Sequence, residues 1–145
     1  MKIFTFTRES GKTHNCHVGM VLISDHNKIY HYSCSTTESD KFESTLLAIK
    51  RGLIFVDNMK PLYCNDSVEI YSNLDSYEST LNLDHRINSD EYISKFKKKR
   101  NQSVNISLKK HKLEDEQFMR LANTLVSTTE RNEYALMLSN KGKEI

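Results

Sequence analysis

No apolar stretch in this 145-residue chain approaches the roughly 20 residues that a membrane-spanning helix needs, which excludes a helical membrane span. Cysteine is scarce too. Cys16, Cys34 and Cys64 are odd in number, far apart and without a CxxC pair, so they read as reduced thiols, mostly small buried or half-buried hydrophobes. The HNCH run from His14 to His17 offers three metal-ligating side chains in four residues. No second pair follows it, which argues against a zinc site. No repeat, low-complexity tract or linker interrupts the chain. Net charge is only +2, so overall charge announces no polyanionic partner.

What remains is an ordinary globular composition, 37% hydrophobic and 28% charged, long enough for one well-packed domain. The reading is a single domain over 1–145, with a core over 1–126 and a C-terminal extension over 127–145. The opening MKIFTFTRES alternates like a strand and lacks the unbroken apolar block of a signal peptide, so the protein is expected in the cytoplasm.

The organising segment is Thr36 to Val56. Phe42, Leu46, Ile49, Leu53 and Val56 recur at spacings of three and four and predict a core helix ending near Asp57 and Asn58, before Pro61. Asp40 is expected to cap it, with Glu43 folding back on the cap's own amide. Before it, KIFTFT (2–7), VGMVLI (18–23) and IYHYSC (29–34) read as an antiparallel meander with a short SDHNK reversal. After it comes VEIYS (68–72), which a right-handed crossover sets parallel to the first strand.

Leu74, Tyr77 and Leu81 predict a second helix capped by Asp75 or Ser72. Tyr92, Ile93 and Phe96 predict a third, capped by Ser89 and Asp90 and ending in KKKR, which suits a helix C-terminus. VNISL (104–108) is a fifth strand. A closing helix over Glu114 to Val126 turns Phe118, Leu121, Ala122 and Leu125 inward, and the YALML tail is an added element.

Charge is uneven. From Tyr92 to Leu113 lie eight cations and no acid: Lys95, Lys97, Lys98, Lys99, Arg100, Lys109, Lys110 and Lys112. A local excess of this kind attracts phosphates even on a nearly neutral molecule, with Tyr92 and Phe96 nearby for stacking or for the core.

Three strands, a helix, a strand, two helices, a strand and a closing helix form an order that resembles the ribonuclease H family. MKIFTFT, GMVLI with the later STT, LLAIKRGL, VEIYSNLDSY, EYISKFKKKRNQSVNISLKKH and DEQFMRLANTLV each resemble the corresponding family segment, over residues 1 to about 126. The resemblance implies an α/β fold with a mixed five-stranded sheet, three antiparallel strands and then parallel ones, flanked by helices. It also implies hydrolysis of the RNA strand of an RNA–DNA hybrid by two divalent metals held by four carboxylates. Hard Mg²⁺ ions want oxygen ligands, and two of them flank the reacting phosphate.

Matched to the family, the four carboxylate positions hold Phe6, Thr45, Asn73 and Met119; a two-residue shift offers Glu43 in place of Thr45. Phenylalanine and methionine cannot bind Mg²⁺, and asparagine brings no charge. The expectation is therefore no catalytic set, no metal and no cofactor. His111 falls where the family has a mobile loop histidine, but the reading as a surface histidine in a basic loop is favoured.

The leading functional reading is an inactive ribonuclease H-like protein that binds nucleic acid or protein as an adaptor, through Lys95, Lys97, Lys98, Lys99, Arg100, Lys109 and Lys110. One alternative is an active nuclease with relocated acids, Glu43, Asp75 and Asp115, using Mg²⁺ or Mn²⁺. Another is an inhibitor-type protein that targets a host factor. The Asn-, Ser- and Lys-rich composition suits a viral or phage product. No membrane partner is expected.

Overall fold

Alternating stretches become strands and three-to-four-spaced stretches become helices in the computed structural model, which describes all residues except 11–14, 26, 38–39, 59–66, 75, 100–104 and 144–145, and the side chains from 133 onward. The strands are β1 (Lys2–Glu9), β2 (Cys16–Ile23), β3 (Ile29–Thr36), β4 (Ser67–Ser72) and β5 (Asn105–Leu108). The helices are α1 (Lys41–Asn58), α2 (Tyr77–Ser89), α3 (Glu91–Lys99) and α4 (Glu116–Lys143), with a 3-10 turn at Leu113–Asp115 leading into the last. Cys64, Pro61, His14, His26 and Val104 lie outside the described residues.

The sheet order is β3-β2-β1-β4-β5. β1 to β3 pair antiparallel; β4 lies parallel to β1 after the crossover of α1 and parallel to β5, which follows α2 and α3. The SDHNK reversal is a hairpin in which Asn27 takes a φ of 59° and Ser24 bonds to Lys28. Asparagine tolerates that left-handed backbone better than most residues.

Strand alternation sorts the core into two layers. Ile3, Met20, Leu22 and Ile70 point toward α1, α2 and α3, while Phe4, Val21 and Tyr71 point toward α4. The apolar stripe of α1 is buried at Leu46, Ile49, Leu53 and Val56. Phe42 is only half-buried, with the charged ends of Lys41 and Arg86 over its ring. Gly19 lets α4 approach β2 closely. A Cβ there would stand 2.1 Å from the Ala122 carbonyl oxygen.

Several local expectations are corrected. Asp40 does cap α1, accepting from the Phe42 N–H at 2.8 Å, but Glu43 does not fold back on the cap. It pairs with Arg86 of α2, which also lies 2.9 Å from Asp40. A guanidinium facing two carboxylates outcompetes a single neutral amide. The cap of α2 is Ser76, whose hydroxyl accepts from the Ser79 N–H; Ser72 instead bonds to the Leu74 N–H, and Asp75 is outside the described residues. Asp90 caps α3 as expected, through the Ile93 N–H.

The closing helix does not stop at Val126. It runs unbroken to Lys143, because no proline or glycine occurs between Glu116 and Gly142. Its fully buried stripe is Met119, Ala122 and Val126, with Phe118, Leu121 and Leu125 partly buried beside it. Among the described residues, no helix is long and apolar enough to cross a membrane.

Candidate functional site

Where β1 and β4 finish, three neutral side chains join. The Thr7 and Thr45 hydroxyl oxygens are 2.6 Å apart, and Thr45 also donates to the Lys41 carbonyl at 2.7 Å. Thr45 has only one hydroxyl hydrogen, so Thr7 must be the donor between them. Asn73 closes the set from β4. Its Oδ1 accepts from the Thr7 N–H at 2.8 Å while its Nδ2 donates to the Thr7 carbonyl at 2.9 Å. The asparagine amide thus continues the β1–β4 ladder as a backbone unit would. A carboxylate has no hydrogen to donate and could make only half of this pair.

Both threonines are buried, Thr45 completely. Of the four positions matched by resemblance, Thr45 and Asn73 meet through Thr7, and Phe6, next to Thr7, faces the opposite layer. There it packs with the cluster of Phe4, Tyr71 and Met119. Met119 also lines a cleft of about 450 Å³ shared with Asn73, Lys109, Lys110 and His111. Among the described residues, no acid lines that cleft.

Each described fallback acid already has a cation. Glu43 is with Arg86. Asp115, buried at the start of the closing segment, is 3.1 Å from Lys2, which lies five residues before Thr7 along β1. His111 Nε2 and Glu116 Oε2 are 2.6 Å apart, so the loop histidine is tied to the first residue of α4. Among the described residues, no group of three or more His, Cys, Asp or Glu side chains could hold a metal ion.

Charged contacts gather instead on the α4 side of the sheet. Glu69 accepts from the Tyr71 hydroxyl at 2.6 Å and from Lys109 Nζ at 3.0 Å. These two bonds, the tyrosine's first, hold the Glu69 carboxyl below its usual range. Burial, and then the bond to Glu69, push the Tyr71 hydroxyl well above the ordinary tyrosine range. The Tyr71 ring stacks on Phe4 with centroids 4.9 Å apart.

The basic run splits in two. Lys109 and Lys110 border the cleft, whereas Lys99 sits 3.2 Å from Asp57 at the far end of α1. Twelve helical residues separate Thr45 from Asp57, about 18 Å of helix axis. Lys95 pairs with Glu91 on its own helix, and Arg100 is outside the described residues. Among the described residues, Lys97, Lys98 and Lys110 are in no ion pair. Sequence reasoning missed Thr7 as the hub of the site. Its signal was present, since alternation in KIFTFT puts Thr7 on the same face as Ile3, toward α1.

No protein-family model matches the chain, and no curated protein does. Solved structures do. LC11-RNase H1 in complex with an RNA/DNA hybrid superposes with a TM-score of 0.64 at 16% identity, covering 92% of this chain and 98% of that one. The RNase H1 of the halophilic archaeon Halobacterium salinarum gives 0.51 at 11% identity over 91% and 99%. The N-terminal RNase H domain of a Mycobacterium tuberculosis protein gives 0.54 at 10% identity over 91% and 98%. The chain has the ribonuclease H-like fold, a mixed five-stranded sheet flanked by four helices.

Proposed function

We propose that this chain is a single ribonuclease H-like domain that binds nucleic acid without hydrolysing it, a cytoplasmic adaptor of viral or mobile-element origin. One observation carries the reading: the closed, neutral network of Thr7, Thr45 and Asn73 at the strand ends, where the resemblance would put two of the four metal-binding carboxylates. Two-metal chemistry needs several anionic oxygens facing one cavity. Here the cleft beside Asn73 is lined by two lysines and a histidine, a composition that favours phosphate.

Lys109 and Lys110 then meet the backbone at the cleft, and Lys97 and Lys98 form a second contact further along the duplex. The RNA/DNA hybrid held by LC11-RNase H1 makes a hybrid the first ligand to test. Labelled hybrid incubated with Mg²⁺ or Mn²⁺ is expected to stay intact, while binding at low salt weakens with a logarithmic slope of about −0.9 per phosphate contacted. Joint Lys109→Glu and Lys110→Glu should weaken binding more than joint Lys97→Glu and Lys98→Glu. Metal-dependent cleavage abolished by Glu43→Gln or Asp115→Asn would replace this reading with the relocated-acid nuclease.

A further inference from the structure

The β3 edge of the sheet lies opposite β5, away from the cleft bordered by Lys109 and Lys110. Among the described residues, β3 pairs with β2 on one side only, and its register is continuous over all eight residues. Natural edge strands are usually blunted by lysine, proline, a bulge or shortness. β5, the opposite edge, is four residues long and is followed at once by Lys109 and Lys110. β3 reads IYHYSCST and carries none of these devices.

Alongside it runs a groove of about 860 Å³ between β3 and the outer side of α1. Ile29, Ile54 and Phe55 are exposed there, at 51%, 42% and 37%. Among the described residues, the groove's charged side chains are both cations, Lys50 and Arg51, and no acid lines it. Lys50 is engaged by Asp90 at 3.1 Å. Arg51 lies 5.6 Å over the Tyr32 ring and is in no ion pair among the described residues.

We infer that β3 and this groove take an extended segment of a partner protein whose groove-facing side chains, at every second position, are apolar with an acid among them. The segment adds a sixth strand at the β3 edge, sets its apolar side chains on Tyr30, Ile54 and Phe55, and places a carboxylate on Arg51. Main-chain pairing supplies affinity in such additions, and alternate side chains supply selectivity. Charge chooses the occupant. A second copy would bring its own Arg51 to the same edge and add like charge there. A single-stranded nucleic acid would need open ring faces. Those faces are taken, since Tyr30 packs against Phe55 with centroids 4.8 Å apart and Arg51 covers Tyr32.

The test is selection of displayed random 12-residue peptides on the full chain, followed by fluorescence anisotropy with the synthetic winners. The winners should carry apolar residues at every second position, with Asp or Glu at one position of that same set. Phe55→Glu should weaken them by about tenfold. Arg51→Glu, an exposed change that leaves the core intact, should weaken them by about fivefold and shift a repeated selection toward basic peptides. N-methylation of one alternate set of peptide amides should abolish binding, and methylation of the other set should be tolerated, because only one edge of an added strand pairs.

Several results overturn the inference: no enrichment, winners without acids, tolerance of both methylation sets, displacement of the peptide by a single-stranded oligonucleotide, or a dimer in sedimentation that Phe55→Glu dissolves. Hybrid binding measured on Arg51→Glu is expected to be unchanged, which keeps this result separate from the test of Lys109 and Lys110.

Discussion

Strands β1 and β4 carry two polar clusters built on opposite rules. Thr7, Thr45 and Asn73 are neutral, and each donor meets an acceptor within 2.9 Å. Lys2, Glu69, Tyr71, Lys109 and Asp115 include four ions, every one paired. The Glu69–Lys109 pair stays near the rim, 28% and 53% exposed, whereas Asp115 is buried with Lys2 as its partner and Thr45 is fully buried. Buried hydroxyls and amides are tolerated when satisfied, and buried charge is costly without a partner. Acids in this region persist where a lysine neutralises them. The strand ends beside the cleft, where no cation bonds Asn73, carry an amide instead.

The sharpest challenge to that contrast is to put charge into the neutral cluster. Asn73→Asp loses the donor to the Thr7 carbonyl and aims a carboxylate at that oxygen, which should cost about 2 to 3 kcal/mol at neutral pH. Protonating the new carboxyl restores the donor, so the deficit should shrink as pH falls through the carboxylate range. Urea denaturation at pH 7 and pH 4 measures both. A neutral outcome at pH 7 would mean that the site accepts an acid readily and that the amide is not needed.

Thr45→Val keeps the shape but removes the acceptor for Thr7, for a loss of about 1 to 2 kcal/mol. That loss should not vary between pH 5 and pH 8, because no group in the neutral cluster titrates there. A pH-dependent loss would show that the two clusters are coupled.

The ionic cluster should respond to pH at both extremes. Glu69 is held below its usual range, so its contribution is complete above about 4.3, the unfolded value, and fades as pH drops through the lower folded value. Tyr71 is raised, so its contribution is complete below about 10 and fades as pH climbs above that. Tyr71→Phe removes the foremost cause of the Glu69 shift. It should flatten the alkaline limb and reduce the acid one, as followed by thermal melts from pH 3 to pH 11.

The smallest effect belongs to Lys95→Ala. Lys95 and Glu91 are 72% and 84% exposed, and solvent screens the pair, so no measurable change in stability is expected. A clear loss there would mean that rim charges matter more than the contrast between the clusters allows.

Much of this was legible in residue order. Alternation and helical spacing are local properties, so the strands, the apolar stripe of α1 from Leu46 to Val56 and the Asp90 cap could be read directly. So could the neutral or apolar character of Phe6, Thr45, Asn73 and Met119. Contacts between distant residues could not. Spacing gives no distance between Arg86 and Glu43, and it does not reveal that Asn73 reaches the backbone of Thr7.

By itself the sequence determined which elements form, in what order, and which side chains can carry charge, because each follows from neighbours within a turn or two. Tertiary structure alone decided that the lysines split between two ends of the sheet and that β3 borders an open groove. It also decided that Thr7 unites the strand ends. Those outcomes depend on which way each strand runs and on which helix crosses it, and the direction of a neighbouring strand is not written in local periodicity.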